Sequence, residues 1–312
     1  MHNLFQRTIR DSVSCTGIGL HTGEMVKLTL RPAPPDSGVT FVRTDLPGTP
    51  EIKACLENVI HTRLATTLGR NGAVVGTVEH ILATLVGLGV DNVRVETDGP
   101  EIPIMDGSSG PFVYLLNSVG VKTLSAFKKF LVIRKPVSIT DGDKSISVAP
   151  ARELGVHYTI SFDHPLLRSQ HFDFQFSDAA FEREISRART FGFQEDAEEL
   201  KRNGFARGGS LANAIIIDRF RVLNQDGLRY EDEFIRHKVL DFLGDISLIG
   251  APIIGRFQAV KSGHGLNNAL LNQLIARPEA WELVEFTHPV ECEARDIRVP
   301  AFSFLDAPRA AA

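Results

Sequence analysis

Polar and apolar positions alternate along the first third of the chain. Val26–Pro32 (VKLTLRP), Gly38–Asp45 (GVTFVRTD) and Asn92–Asp98 (NVRVETD) repeat every two residues, the period of half-buried strands. Between and after them the period lengthens to that of a helix. Thr77–Leu88 is one such run, and Gly110–Gly120 is another, with Pro111 placed where a helix tolerates it best. The mixed segment Lys122–Lys129 reads as a boundary. Beyond it come four more strand patterns, FLVIRKPVSIT, KSISVAP, VHYTISF and HFDFQF. Helical patterns follow over Asp178–Arg187, Glu195–Asn203, Tyr230–Ile249 and Asn267–Ala276. Strands followed by helices, twice over, imply an α+β fold rather than a doubly wound parallel sheet. The expected division is 1–126 and 127–285, with an irregular tail over 286–312.

Composition narrows the class without identifying it. With 312 residues, 43% of them hydrophobic, the chain can build large cores. A net charge of −4 offers no basic face for nucleic acid. Cys15, Cys55 and Cys292 are too far apart to suggest a disulfide framework or a thiolate cluster. The N-terminus has no apolar signal region, and no apolar run approaches the roughly 20 residues of a membrane span. These features imply a protein of the reducing cytoplasm that is not integral to a membrane.

Charged residues interrupt two of the apolar helical patterns. In TVEHILATLVGLG, Glu79 and His80 sit side by side near the start of a core-like run. Adjacent helix residues point about 100° apart, so they cannot chelate together, but one can ligate while the other flanks. Taken alone, such a pair more often serves a capping or core-edge role. In RYEDEFIRHKVLDFLGDISLIG, His237 and Asp241 lie four apart on one face, with Asp245 a turn further on. Such a pair either salts an exposed face or grips a divalent ion, and the apolar residues around it weigh against simple solvation. His264, between two glycines in KSGHGLNN, is either a solvated turn histidine or an imidazole that the permissive backbone leaves accessible. Thr190 in SRARTFGF could supply a hydroxyl donor.

Taken together and in order, TGIGLHTG, TVEH, GPEIPIMDGS, ISRARTFGF, RVLNQDGLRYEDEFIRHKVLD and KSGHGLNN resemble one family, the zinc-dependent UDP-3-O-acyl-N-acetylglucosamine deacetylases of lipid A synthesis. The resemblance spans nearly the whole chain up to about residue 285. It implies two similar α+β sandwich domains packed together, with the active site at their interface. It also implies that His80, His237 and Asp241 ligate one Zn2+, for which iron(II) is an alternative, leaving a further position open. Glu79 corresponds to the general base, His264 to the protonated acid held by Asp245, and Thr190 to a hydroxyl polarising the amide carbonyl. Lys238 corresponds to a substrate contact, Phe162 to the aromatic that stacks on uracil, and Lys144 and Lys261 to cations near the diphosphate. His21 falls in a motif near the sugar. Leu20, Phe191, Gly209, Leu211, Ala214 and Ile216 correspond to the acyl-chain passage. Some relatives carry a cysteine in the loop before the Glu-His helix, where this chain reads TRLATT. The resemblance further implies an amphipathic UDP-sugar as substrate and a monomeric enzyme.

Overall fold

The computed structural model describes residues 2–302. Two five-stranded sheets carry the architecture. The first runs Val13–Ile18, Met25–Pro32, Val93–Thr97, Val39–Arg43, Glu51–Lys53 in spatial order. The second runs Val137–Asp141, Lys144–Ala149, Arg256–Val260, Gly155–Ile160, Gln170–Gln175. In both, the third strand in this order is antiparallel to its first neighbour and parallel to its second. It is also the last of the five to be made along the chain. The two sheets therefore repeat one topology.

The helices are α1 (Glu79–Gly87), α2 (Gly110–Val119), α3 (Asp178–Ala180, continued by a π-helical turn Phe181–Ile185), α4 (Gln194–Arg202), α5 (Glu233–Ile246), α6 (His264–Ile275) and α7 (Pro289–Ala294). In each half one helix precedes the inserted central strand and another follows it: α1 and α2 in the first, α5 and α6 in the second. The strand alternation puts Val26, Leu28 and Leu30 of one sheet, and Ile146, Val148, Phe257 and Ala259 of the other, into the interior. The helices cover those faces, and one continuous apolar cluster joins the two halves.

α1 and α5 pack on each other at the centre of the molecule. Their approach is set by Gly244. A Cβ placed there would lie 2.1 Å from the carbonyl oxygen of Glu79, so only glycine fits at this crossing. The first turn of α1 is thereby pressed against the polar stripe of α5.

Several sequence expectations are corrected. FLVIRKPVSIT is two strands in different sheets, Lys129–Ile133 and Val137–Asp141, because Pro136 lacks the donor a continuous ladder needs. The boundary segment is itself a strand, Val121–Phe127, paired antiparallel with Phe5–Ile9. Asp178–Arg187 is not one regular α-helix but α3 plus the π turn. The last strand, Trp281–Glu285, pairs with Lys129–Ile133. Beyond it the described tail is ordered into α7, and Phe286, Cys292 and Ile297 bury against Leu4, Phe130, Val132 and Ile254. The remainder of the expected tail, from residue 303, lies outside the described residues.

Candidate active site

The site forms where α1 meets α5. Glu79 and His80 open α1, which the chain enters through Thr77, a non-glycine residue at φ 56°. That turn is fastened by the buried Glu101. Its carboxylate accepts from the Thr77 hydroxyl at 2.8 Å, the Thr22 hydroxyl at 2.9 Å and the backbone N–H groups of His21 and Thr22. PEIPIMDGS therefore locks the GLHT loop to the start of α1. On α5 the spacing of four places His237, Asp241 and Asp245 on one stripe. A buried ion pair fixes the head of that helix. Glu233 accepts from the Arg189 guanidinium at 2.9 Å and from the Arg189 and Arg229 backbone N–H groups.

His80, His237 and Asp241 are all buried, and each offers a ligand atom within 4.8 Å of the others. Asp241 Oδ1 lies 3.5 Å from His80 Nε2 and 3.3 Å from His237 Nε2. The two imidazoles are perpendicular, with centroids 5.0 Å apart. His237 Nδ1 faces the Ala188 carbonyl at 3.0 Å, so that nitrogen carries the proton and Nε2 presents a lone pair inwards. Burial pushes His237 down to about 4, favouring the neutral, ligating form. Asp241 Oδ1 is buried and has no hydrogen-bond partner among the described residues. An orphaned carboxylate oxygen between two imidazole nitrogens is costly in an apolar interior. A divalent cation there would remove that cost. Asp241 Oδ2 accepts from Lys238 Nζ at 2.8 Å. Burial works against the Asp241 charge, but His237, Lys238 and His80 outweigh it and hold the carboxyl well below its ordinary range. The donor set of two imidazoles and one carboxylate suits a borderline cation such as zinc or iron(II).

Two further ionisable groups flank this cluster. Burial raises the Glu79 carboxyl above its ordinary value, opposed by His264 and His80. Its Oε2 accepts from the Thr66 backbone N–H at 3.0 Å. His264 is not in a turn but is the first residue of α6, after Gly263 in extended conformation. Its Nδ1 donates to Asp245 Oδ2 at 2.8 Å. Burial disfavours its charge, yet the Asp245 carboxylate prevails and raises it to about 9. A carboxylate of raised basicity and a cationic imidazole thus sit close to one three-ligand group.

The structure brings Glu79, His80, His237, Asp241, Asp245 and His264 together in one buried cluster, with the half-buried Lys238 at its edge. Phe191 joins it, with its ring 6.4 Å from that of His237 and 5.1 Å from that of Phe234. Phe162 packs edge-on against Phe191 and Phe193. Thr190 is held from both sides by its backbone: its N–H donates to the Gly107 carbonyl, and its carbonyl accepts from Ile215 N–H. The parallel strands Phe191–Phe193 and Ile215–Ile217, joined through α4, form the insert that contains Gly209, Leu211, Ala214 and Ile216. The Leu20 carbonyl accepts from Gly208 N–H at 3.0 Å, so the GLHT loop lies against this insert. Ala214 is buried and Leu211 exposed. His21 Nδ1 accepts from Ala206 N–H at 3.4 Å, while its buried Nε2 has no partner among the described residues. Lys144 and Lys261 stand apart from the buried cluster, at one end of the second sheet. Lys144 is exposed on a hairpin, and Lys261 pairs with Asp143.

Sequence reasoning missed Thr66, Asn267 and Tyr158. Asn267 Nδ2 donates to Asp245 Oδ2 at 2.8 Å, and the Tyr158 hydroxyl donates to the Ser262 carbonyl at 2.8 Å, two residues before His264. The spacing of three between His264 and Asn267 was a usable signal. Thr66, in a loop, left none.

Among the described residues no helix is long and apolar enough to cross a membrane. A family model described as LpxC, UDP-3-O-acyl N-acetylglycosamine deacetylase, matches residues 6–276. A UDP-3-O-acyl-N-acetylglucosamine deacetylase of Myxococcus xanthus is 56% identical over 279 residues, 89% of each chain. The protein of that name from Anaeromyxobacter dehalogenans is 51% identical over 298 residues, 96% of each chain. That from Saccharophagus degradans is 52% identical over 283 residues, 90% of this chain and 93% of the relative. With the motifs in register over nearly the whole length, the chain belongs to the UDP-3-O-acyl-N-acetylglucosamine deacetylase family.

Proposed function

We propose that the protein hydrolyses the N-acetyl group of UDP-3-O-(3-hydroxyacyl)-N-acetylglucosamine, releasing acetate and the free amine, in lipid A synthesis. The observation that carries this reading is a buried ligand set of three, with a separate carboxylate and a separate cationic histidine beside it. A structural zinc site is usually closed by four protein ligands, whereas a catalytic one keeps a position open.

His80, His237 and Asp241 would hold one zinc ion, with iron(II) an alternative occupant. The ion, when bound, activates water near neutral pH and polarises the acetyl carbonyl. Glu79, made more basic by burial, takes the proton of the attacking water. Thr190 would polarise the acetyl carbonyl, and Lys238 would contact the substrate. His264 then gives the proton on its Nε2 to the departing sugar nitrogen, and Asp245 on Nδ1 keeps the ring cationic and oriented. Acid and base are separate groups, so neither must reverse its protonation within one step.

The insert from Phe191 to Ile217, with Leu20 opposite, would receive the acyl chain. Phe162 would stack on the uracil, Lys144 and Lys261 would meet the diphosphate, and His21 the sugar. The reading places the enzyme in the cytoplasm as a monomer of two domains, divided near residues 126 and 127. The matching order of the two sheets supports that division.

The test is acetate release from UDP-3-O-(3-hydroxyacyl)-N-acetylglucosamine, compared with the unacylated UDP-sugar and with chelator-treated enzyme. Release that requires both the metal and the acyl chain is expected. Equal rates on the unacylated sugar, or rates indifferent to metal removal, would reject the assignment.

A further inference from the structure

Thr66 is buried and lies between the strands Val59–His61 and Thr67–Arg70. All three of its polar groups are engaged. Its carbonyl accepts from Val78 N–H at 3.3 Å, and its own N–H donates to Glu79 Oε2 at 3.0 Å. These two bonds fasten residue 66 to the first turn of α1. Its hydroxyl reaches across the helix crossing and donates to Asp245 Oδ1 at 2.7 Å.

The hydroxyl completes the coordination of Asp245. Oδ2 of that carboxylate is taken by His264 Nδ1 and Asn267 Nδ2, and Oδ1 is taken by Thr66. Without a donor on Oδ1, the carboxylate could turn about its terminal bond, and the imidazole it orients would turn with it. A β-branched threonine is suited to the task, because its χ1 is restricted. One residue thus fixes the distance between the carboxylate on α1 and the carboxylate on α5 that aims His264.

We infer that Thr66 is a positioning residue that couples the general base to the general acid, holding Glu79 through its backbone and Asp245 through its side chain. This rests on the roles given above to Glu79, Asp245 and His264. The effect belongs to the chemical step, since Thr66 reaches the reaction only through those groups. A small displacement of a proton donor is enough to slow such a step severely.

Thr66→Val removes the hydroxyl and leaves both backbone bonds in place. In the zinc-loaded enzyme, kcat should fall on the order of tenfold or more. KM and bound zinc should stay within about twofold, a pattern that loss of a transition-state interaction produces. Thr66→Ser, which restores the hydroxyl, should recover most of kcat. In an Asp245→Ala background Thr66→Val should cost nothing further, because its partner is gone. A kcat for Thr66→Val within about twofold of the parent, or the same fractional loss in both backgrounds, would overturn the inference. If Thr66→Val fails to fold, Thr66→Ala against Thr66→Ser poses the same question. Activity that survives Thr66→Val but not Glu79→Gln or Asp245→Ala rejects the Thr66 role alone. A parent enzyme with no metal-dependent acetate release rejects the function itself.

Discussion

His264 and Asp245 form a buried pair, Nδ1 to Oδ2 at 2.8 Å, in which the carboxylate overcomes burial and keeps the imidazole charged well above neutrality. Asp245 is in turn held by Thr66 and Asn267, so its charge is fixed in direction as well as in sign.

The pair sets the alkaline limit of activity. With His264 raised to about 9, its acid form persists through neutral pH and is lost as pH rises through about 9. Turnover should fall over the same interval. In Asp245→Asn the charge that sustains the imidazolium is removed, while burial still opposes it. The alkaline limb should then move to lower pH, with turnover at pH 8 reduced by roughly tenfold or more. Stability follows the same sign. A histidine raised on folding contributes fully below its unfolded value of about 6.5, and that contribution is lost as pH rises through the folded value. An unchanged alkaline limb in the pH–rate profile of Asp245→Asn would contradict the pairing.

Glu79→Gln should separate the base from the ligands. Gln keeps an oxygen to accept from Thr66 N–H, so the first turn of α1 should survive. Removing a positioned general base typically costs about 10²–10⁴ in turnover. Zinc content measured by elemental analysis should remain near that of the parent, because His80, not Glu79, belongs to the ligand group. Loss of the metal along with the activity would move Glu79 into the ligand set.

Asp241→Ala should show the opposite pattern. It removes the anionic member of the three-ligand group and strands the Lys238 ammonium, which accounts for one of the two oxygens of Asp241. Retained zinc should fall sharply at a metal concentration that saturates the parent. Activity should fail with it, and added zinc should restore part of it. Zinc bound as tightly as in the parent would exclude Asp241 as a ligand.

Much of the fold and of the site is legible in the sequence because its signals are periodic. Period two marks the sheet strands, and a spacing of four marks His237, Asp241 and Asp245 as neighbours on one helix face. Legibility ends where one residue breaks a period or where the contact is not local. Pro136 ends one strand and begins another in a different sheet, while the apolar pattern runs on through it. Thr66 and Asp245 are 179 residues apart, and nothing in TRLATT marks a threonine whose hydroxyl meets a carboxylate on α5. The tail reads as irregular for a related reason. Its buried apolar residues Phe286, Cys292 and Ile297 have no helical or strand period of their own and pack against Leu4, Phe130, Val132 and Ile254, residues that are not local to them in the chain.

Gly244 puts the same distinction to an energetic test. From local propensity alone, Gly244→Ala in the interior of α5 should stabilise the helix by roughly 0.5–1 kcal/mol. The crossing with α1 reverses that sign. The new Cβ would meet the Glu79 carbonyl oxygen at 2.1 Å and the carbonyl carbon at 2.8 Å, both backbone atoms that no side-chain rotation can move aside. Overpacking of this kind typically costs about 1–3 kcal/mol, which exceeds the gain from propensity. α1 and α5 must separate, and the ligands on them separate too. Urea unfolding should show a lower midpoint, and zinc affinity should fall although no ligand has been altered. A variant as stable as the parent with normal zinc affinity would show that the helices do not meet at Gly244.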